Sequence, residues 1–256
     1  IICRRTKPTD SERGGAAVAQ TVAELAVELI ADHRKIRSAG ASDLVGVGLA
    51  SAGVIDEATG SVISATDTIP QWAGIPIGAI VSEAVNLPVR ALNDVHAHAL
   101  GEATWGAAAG EATALLMAIG TGIGGAFVAN GKVLRGAHGV SGSLGHIRHP
   151  LADGFRCSCG RSGHIEAVAS GTGIVALHQR RSGRNLVGTS GMTGSRELQQ
   201  LAEKGDPLAR SAFVESGHAI GEVIGSLANC FEPDIILLPG SVTLSGTRWW
   251  NSLRQG

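Results

Sequence analysis

Four residues in one short segment have the types a metal ion needs: His146, Cys157, Cys159 and His164. Two thiolates and two imidazoles make a complete tetrahedral set for zinc, and with all four positions taken by protein the ion would be structural. It would tie a loop that has little core of its own. The Cys-x-Cys spacing is tighter than in ordinary zinc fingers, and two free thiols beside satisfied core histidines are the alternative reading. His149 competes for a ligand place. Glu166 follows closely, as an orienting carboxylate, a ligand contact or a plain helix-terminus acid.

Two further segments suit phosphate chemistry. Residues 120–125 read GTGIGG. Glycine tolerates positive φ and lets an anion approach the backbone, and successive N–H groups there can cradle phosphate oxygens. A strand follows, not a helix, and no Walker lysine is present, so neither the dinucleotide turn nor the P-loop fits. The pattern suits a phosphate-gripping β-hairpin, or a tight turn with no ligand. Asn93-Asp94 closes a short apolar run, and open sheets place ligand-binding groups at such carboxyl ends. A carboxylate there can take the proton of an attacking hydroxyl during phosphoryl transfer. Asn93 offers a donor and an acceptor to a polyol. The pair equally suits an Asx cap on the next helix. His96 and His98 read as helix-surface or cleft-wall residues rather than metal ligands.

The elements that must position these groups are legible in outline. Residues 1–9 predict a strand running into a Pro turn. Ser11 is placed to cap a helix with Val18, Val22, Leu25, Ala26, Leu29 and Ile30 on one face and Gln20, Glu24, Glu28 and Asp32 opposite. Residues 44–50 predict a strand ending in the turn 51–53, and 54–63 a hairpin turning at 57–60. Residues 72–77 are irregular, 80–85 begin a short helix, and 87–92 form the strand that ends at Asn93-Asp94. A small-residue helix over 95–105, a strand over 115–119 and another over 126–129 with an Asn130-Gly131 turn come next. Residues 134–166 show little periodicity. A helix is expected over 166–178, a polar loop over 180–195, and a long helix from Pro207 with Ile220, Val223, Ile224 and Leu227 on one face. A buried strand over 235–238 ends at Pro239-Gly240-Ser241, and the last ten residues have no settled pattern. Interspersed strands and helices imply an α/β chain. Two unlike glycine-rich strand ends suggest a cleft between two sheet-based domains, with the boundary near Asp94.

Composition narrows the classes. Hydrophobic residues at 44% allow 256 residues a substantial core. Lys and Arg number 21 against 22 Asp and Glu, a net charge of -1 that argues against a nucleic-acid-coating surface. No run of ~20 apolar residues predicts a membrane span, and no targeting peptide opens the sequence. Four cysteines do not form the framework of a small secreted domain, so a cytoplasmic location is expected.

Together the segments resemble the ROK family: bacterial glucokinases, N-acetylmannosamine kinases and related sugar kinases, with repressors built on the same fold. The likeness is carried by LNDVHAHALGE (92–102), AIGTGIGG (118–125), SGSLGHI (141–147), CSCGRSGHIEAVASG (157–171) and LLPGS (237–241). It implies the two-domain actin-like ATPase (ribonuclease H-like) fold, with 1–94 as the small N-terminal domain and 95–256 as the larger C-terminal domain carrying a zinc loop over 146–164. The family's opening DxGGTK-like hairpin and most of the helices after Ser241 are missing from the sequence, so both domains are expected to be incomplete.

The resemblance also implies roles. Asp94 is the base for the sugar 6-hydroxyl. Asn93, His146 and Glu166 contact the sugar, and the loop near Gly53 closes over it. Gly120, Thr121, Gly122 and Gly124 lie beside the phosphates of ATP and its Mg²⁺, and Gly240 and Ser241 lie toward the nucleoside. His146, Cys157, Cys159 and His164 match the zinc positions, with His164 replacing the family's third cysteine, a change imidazole permits. Ser143 stands where family kinases usually carry a sugar-gripping Glu. Hydrogen bonds to charged groups contribute roughly 1.5–3 kcal/mol, so substrate choice or affinity should change. That loss, and EAVASG (166–171) in place of the glucokinase-type EQ-x-ASG, point to N-acetylmannosamine. Glucokinase, N-acetylglucosamine kinase, and a sugar-sensing regulator or inactive homologue are the alternatives. The implied partners are a sugar and ATP, with a homodimer, no membrane, and no nucleic acid unless a helix-turn-helix precedes the sequence.

Overall fold

A computed structural model describes residues 1–36, 44–183 and 194–256. They gather into two compact units, Ile1–Ala97 and His98–Gly256.

The first unit opens differently from expectation. Residues 1–9 form no strand. Their polar side chains bind helix α1 (Gly15–Ile36) instead: Lys7 meets Glu28 at 2.7 Å, and Arg5 meets Glu28 and Asp32. Ser11 does not cap α1 but begins a short 3-10 helix, Ser11–Arg13. Val18, Ala19 and Ala23 bury the inner face of α1.

Strand β1 (Val47–Ser51) is followed by the hairpin β2 (Val54–Asp56) and β3 (Ser61–Ser64), helix α2 (Ile77–Val85) and strand β4 (Val89–Asn93). Asp56 closes the hairpin, its carboxylate accepting from the Ala58 amide at 3.0 Å and the Thr59 hydroxyl at 2.9 Å. Strands β1 and β4 pair in parallel, with Ser51 opposite Asn93. Parallel strands end at the same edge, so the turn after β1 and the residues after β4 become neighbours. Val18, Ile55, Val62, Trp72, Ile77, Val81 and Ala91 share one core. Helix α3 (Asp94–Trp105) starts directly on β4 and continues into the second unit.

The second unit is built on a four-stranded sheet of order β7-β6-β5-β8, comprising β5 (Thr113–Ile119), β6 (Ile123–Ala129), β7 (Lys132–Val133) and β8 (Ile235–Leu237). Four consecutive residues of β5, Ala114 to Met117, are buried, so the strand is covered on both faces. Strand β6 begins earlier than expected because Gly124 and Gly125 pair with Ala118 and Met117.

The helix expected over 166–178 is two helices, α4 (Glu166–Ala169) and α5 (Gly171–Ser182). Ser170 breaks them with an extended backbone and caps α5, its hydroxyl accepting from the Gly173 amide at 3.0 Å. Most of the polar run 180–195 lies outside the described residues. Its first residues complete α5, and Gly194 opens α6 (Gly194–Glu203). Helix α7 (Pro207–Phe231) begins with Asp206 accepting from the Ala209 amide at 2.9 Å and Pro207 in the first turn. Its buried face includes Ile220, Val223 and Leu227. The last ten residues contain helix α8 (Thr247–Leu253), whose Trp249 is fully buried in the same core. Among the described residues, no helix is long and apolar enough to cross a membrane.

Candidate functional site

In the first unit the edge shared by β1 and β4 carries Gly53, Asn93 and Asp94. The Asn93 side-chain amide donates to the Gly53 carbonyl at 3.0 Å, and its oxygen accepts from the amides of Val95 at 3.0 Å and His96 at 3.1 Å. The helix-capping reading of this motif is therefore realised by Asn93. Asp94 remains exposed, with one oxygen accepting from the Val95 amide at 2.9 Å. Gly53 has φ +98°, and an added Cβ would lie 2.8 Å from the Ser64 carbonyl oxygen, so glycine is required. Buried Trp72 donates from its indole to the Ala52 carbonyl at 3.0 Å and pins the same turn. His98 is exposed and faces Glu102 at 3.5 Å. His96 is buried, which removes the helix-surface half of the helix-surface or cleft-wall reading for that residue.

In the second unit the turn Gly120-Thr121-Gly122 joins β5 to β6 and is held from several sides. Its own span is closed by the Gly120 amide donating to the Gly122 carbonyl at 2.9 Å. The start of α5 supplies the Gly171 amide to the Gly120 carbonyl at 2.7 Å and the Thr172 hydroxyl to the Thr121 carbonyl at 2.9 Å. The Ile123 amide donates to Glu166 Oε2 at 2.9 Å. Beside the end of β5, the Ile119 amide donates to the Pro239 carbonyl at 2.8 Å. Gly240, at φ +119°, leaves no room for a Cβ against the Ile119 backbone. Ser241 begins the 3-10 helix Ser241–Leu244. Thus Gly120, Thr121, Gly122, Gly240 and Ser241 lie at one end of the sheet. Gly124 stands instead in the ladder of β6.

The ligand atoms of His146, Cys157, Cys159 and His164 all lie within 4.8 Å of one another. Cys159 Sγ is 3.3 Å from His164 Nδ1, and the rings of His146 and His164 stack at 5.1 Å. Tetrahedral zinc with bonds of ~2.0–2.3 Å needs ligand atoms about 3.3–3.8 Å apart, so modest contraction would close the set. Two soft sulfurs with two imidazoles suit that ion. Burial pushes the Cys157 thiol up to about 11, and burial with the nearby His146 lowers the His164 pKa. His149 is turned away: Nδ1 accepts from the Leu151 amide at 3.2 Å, leaving Nε2 to meet Glu222 at 2.9 Å. Ser143 is exposed, its hydroxyl donating to the Val140 carbonyl at 2.8 Å. Glu166 Oε1 accepts from Ser158 Oγ at 2.6 Å, with Cys157 Sγ at 3.5 Å.

Residues 8–256 match the ROK family. The chain belongs to that family. A glucokinase of Halalkalibacterium halodurans is 32% identical over 255 residues, covering 97% of this chain and 76% of the relative. A xylose repressor of Caldicellulosiruptor bescii is 27% identical over 219 residues, covering 83% of this chain, which spans only 54% of the repressor's length. Among solved structures, a ROK hexokinase from Thermus thermophilus superposes with a TM-score of 0.78 at 34% identity, covering 97% of this chain and 78% of the hexokinase.

Three contacts of this ROK chain had no sequence signal of their own. Trp72 sits in an irregular stretch, and nothing local ties it to Ala52. Thr172 follows a helix break that periodicity did not predict. Ser158 was visible only as the residue between two cysteines.

Proposed function

We propose that this ROK chain transfers the terminal phosphoryl group of ATP to the 6-hydroxyl of a hexose-type sugar, with N-acetylmannosamine the foremost candidate. The observation that carries the proposal is the exposed Asp94 carboxylate at the tip of β4, beside an Asn93 locked to Gly53 and to the first turn of α3. A base so held can take the proton of the attacking hydroxyl as its oxygen bonds to phosphorus.

In this reading Asn93 presents Asp94 and its remaining N–H to the sugar. His146 and Glu166 bind further sugar hydroxyls, and the turn at Gly53 covers the substrate. Backbone N–H groups of Thr121 and Gly122 hold the phosphates, with Gly120 closing the turn beneath them and Gly124 keeping the strand close. Gly240 and Ser241 hold the nucleoside side. Mg²⁺, when bound with ATP, would neutralise phosphate charge. Zinc, held by His146, Cys157, Cys159 and His164, would fix the loop that carries His146. Ser143 supports an N-acyl sugar: its short hydroxyl bonds to Val140 and puts no carboxylate at that place.

The test is a panel of glucose, mannose, N-acetylglucosamine and N-acetylmannosamine assayed with ATP and Mg²⁺ for ADP release. N-acetylmannosamine should give the highest kcat/KM. Release with none of the four, at protein concentrations that detect slow turnover, would sink the kinase reading. The likeness to a xylose repressor supports a second reading, a sugar-sensing regulator. Saturable sugar binding without ADP release, and a DNA-binding module ahead of Ile1 in the full-length protein, would favour it.

A further inference from the structure

The Glu166 carboxylate joins two parts of the second unit that are far apart in sequence. Oε2 accepts from the Ile123 amide, the first residue after the glycine turn, at 2.9 Å. Oε1 accepts from Ser158 Oγ, between the two cysteines, at 2.6 Å. The carboxylate also packs over Gly122, where an added Cβ would lie 2.7 Å from Oε2. A carboxylate with one oxygen bound is free to rotate about its last bond. Bonds to both oxygens fix its plane.

We propose that Ser158 is a positioning residue: its hydroxyl locks the Glu166 carboxylate against the Ile123 amide, so that the Cys157–Cys159 segment sets the shape of the Gly120–Gly122 turn. Oε1 also takes the weaker Cys157 Sγ donor at 3.5 Å, but one lone pair on Oε2 stays available, so the lock orients Glu166 for a ligand without filling it. The alternatives are that Ser158 serves only the fold of its own loop, or that Glu166 keeps its place without it. The inference rests on the reading of this turn as a phosphate grip only for its functional consequence, since the lock can be observed without nucleotide.

The test compares wild type, Ser158→Ala and Ser158→Thr in three measurements: hydrogen exchange at the Ile123 amide, metal content, and affinity for a non-hydrolysable ATP analogue. Ser158→Ala should speed exchange at Ile123 several-fold and weaken the analogue about five- to tenfold, below the full effect of a bond to a charged group because Ser158 is exposed. Metal content should not change, and Ser158→Thr, which keeps the hydroxyl, should restore both readouts. Unchanged exchange at Ile123 in Ser158→Ala would overturn the proposal, as would loss of metal in that variant, which would confine Ser158 to the loop. If wild type fails to bind the analogue while exchange still responds, the kinase reading falls and the lock stands.

Discussion

The side-chain amide of Asn93 donates to the Gly53 carbonyl at 3.0 Å while its oxygen caps α3 through Val95 and His96. One residue therefore fastens the turn after β1, the end of β4 and the start of α3. Asn93→Ala removes the cap and leaves the Gly53 carbonyl without this donor. It should cost about 1–2 kcal/mol and lower the melting temperature by a few degrees. Asn93→Asp keeps a capping oxygen but turns an acceptor toward the Gly53 carbonyl, so it should recover only part of the stability, and sugar KM should rise in both variants. Equal melting curves for wild type and Asn93→Ala would show that the three contacts do not bear on the fold.

Asp94 is exposed, and the one side-chain hydrogen bond described for it is accepted from the neighbouring Val95 amide. Asp94→Asn should therefore leave the melting temperature within about 1 °C and reduce kcat by roughly 10²–10⁴, the span of general-base catalysis. Steady-state ADP release with saturating sugar checks it. A kcat within threefold of wild type would remove Asp94 from the base role.

Metal analysis of purified protein should find about one zinc per chain, as the four-ligand set implies. Cys157→Ser should lose most of it, because a hydroxyl is a poor substitute for thiolate, and should lower thermal stability as the 146–164 loop loses its tie. Wild type that is fully folded and zinc-free after expression in zinc-supplemented medium would contradict the assignment.

Gly122→Ala puts a methyl against the Glu166 carboxylate. The obstructing atom is the end of a side chain, so Glu166 can swing aside without unfolding the hairpin. The expected outcome is a fold close to wild type by circular dichroism, with nucleotide affinity reduced at least tenfold by equilibrium titration. A variant that binds nucleotide normally would mean that the turn does not depend on Glu166.

The Arg181 guanidinium, with help from Ser211, holds the Glu215 carboxyl below its ordinary range, joining α5 to α7. A carboxyl depressed on folding stabilises above its unfolded pKa and loses that contribution as pH falls through its folded one. Wild type and Glu215→Gln should thus differ in melting temperature near pH 6, and the gap should start to close only as pH falls below about 4, vanishing below the depressed folded pKa. The pair is partly exposed, so the difference should be under about 1 kcal/mol. A gap that grows on acidification would reverse the sign and refute the account.

The sequence alone carried the chemistry that depends on residue type and close spacing. A capping Asn followed by an exposed Asp, a glycine turn between two apolar strands, and two thiols with two imidazoles each announce themselves because one short segment contains most of what is needed. The long helices were legible for a related reason, apolar residues at helical spacing, although in α1 the buried side chains are Val18, Ala19 and Ala23 and the rest of the expected stripe is only partly buried. The break at Ser170, the helix at Thr247–Leu253 and the irregular course of residues 1–9 were not legible. Each is decided by partners distant in sequence: the glycine turn for the start of α5, the buried face of α7 for Trp249, and the acidic side of α1 for Arg5 and Lys7. The bonds that give the site its geometry, Asn93 to Gly53, Ile123 to Glu166 and Ser158 to Glu166, are of the same kind. A hydrogen bond needs its donor and acceptor within about 3 Å, and only the packed tertiary structure brings residues from different segments that close.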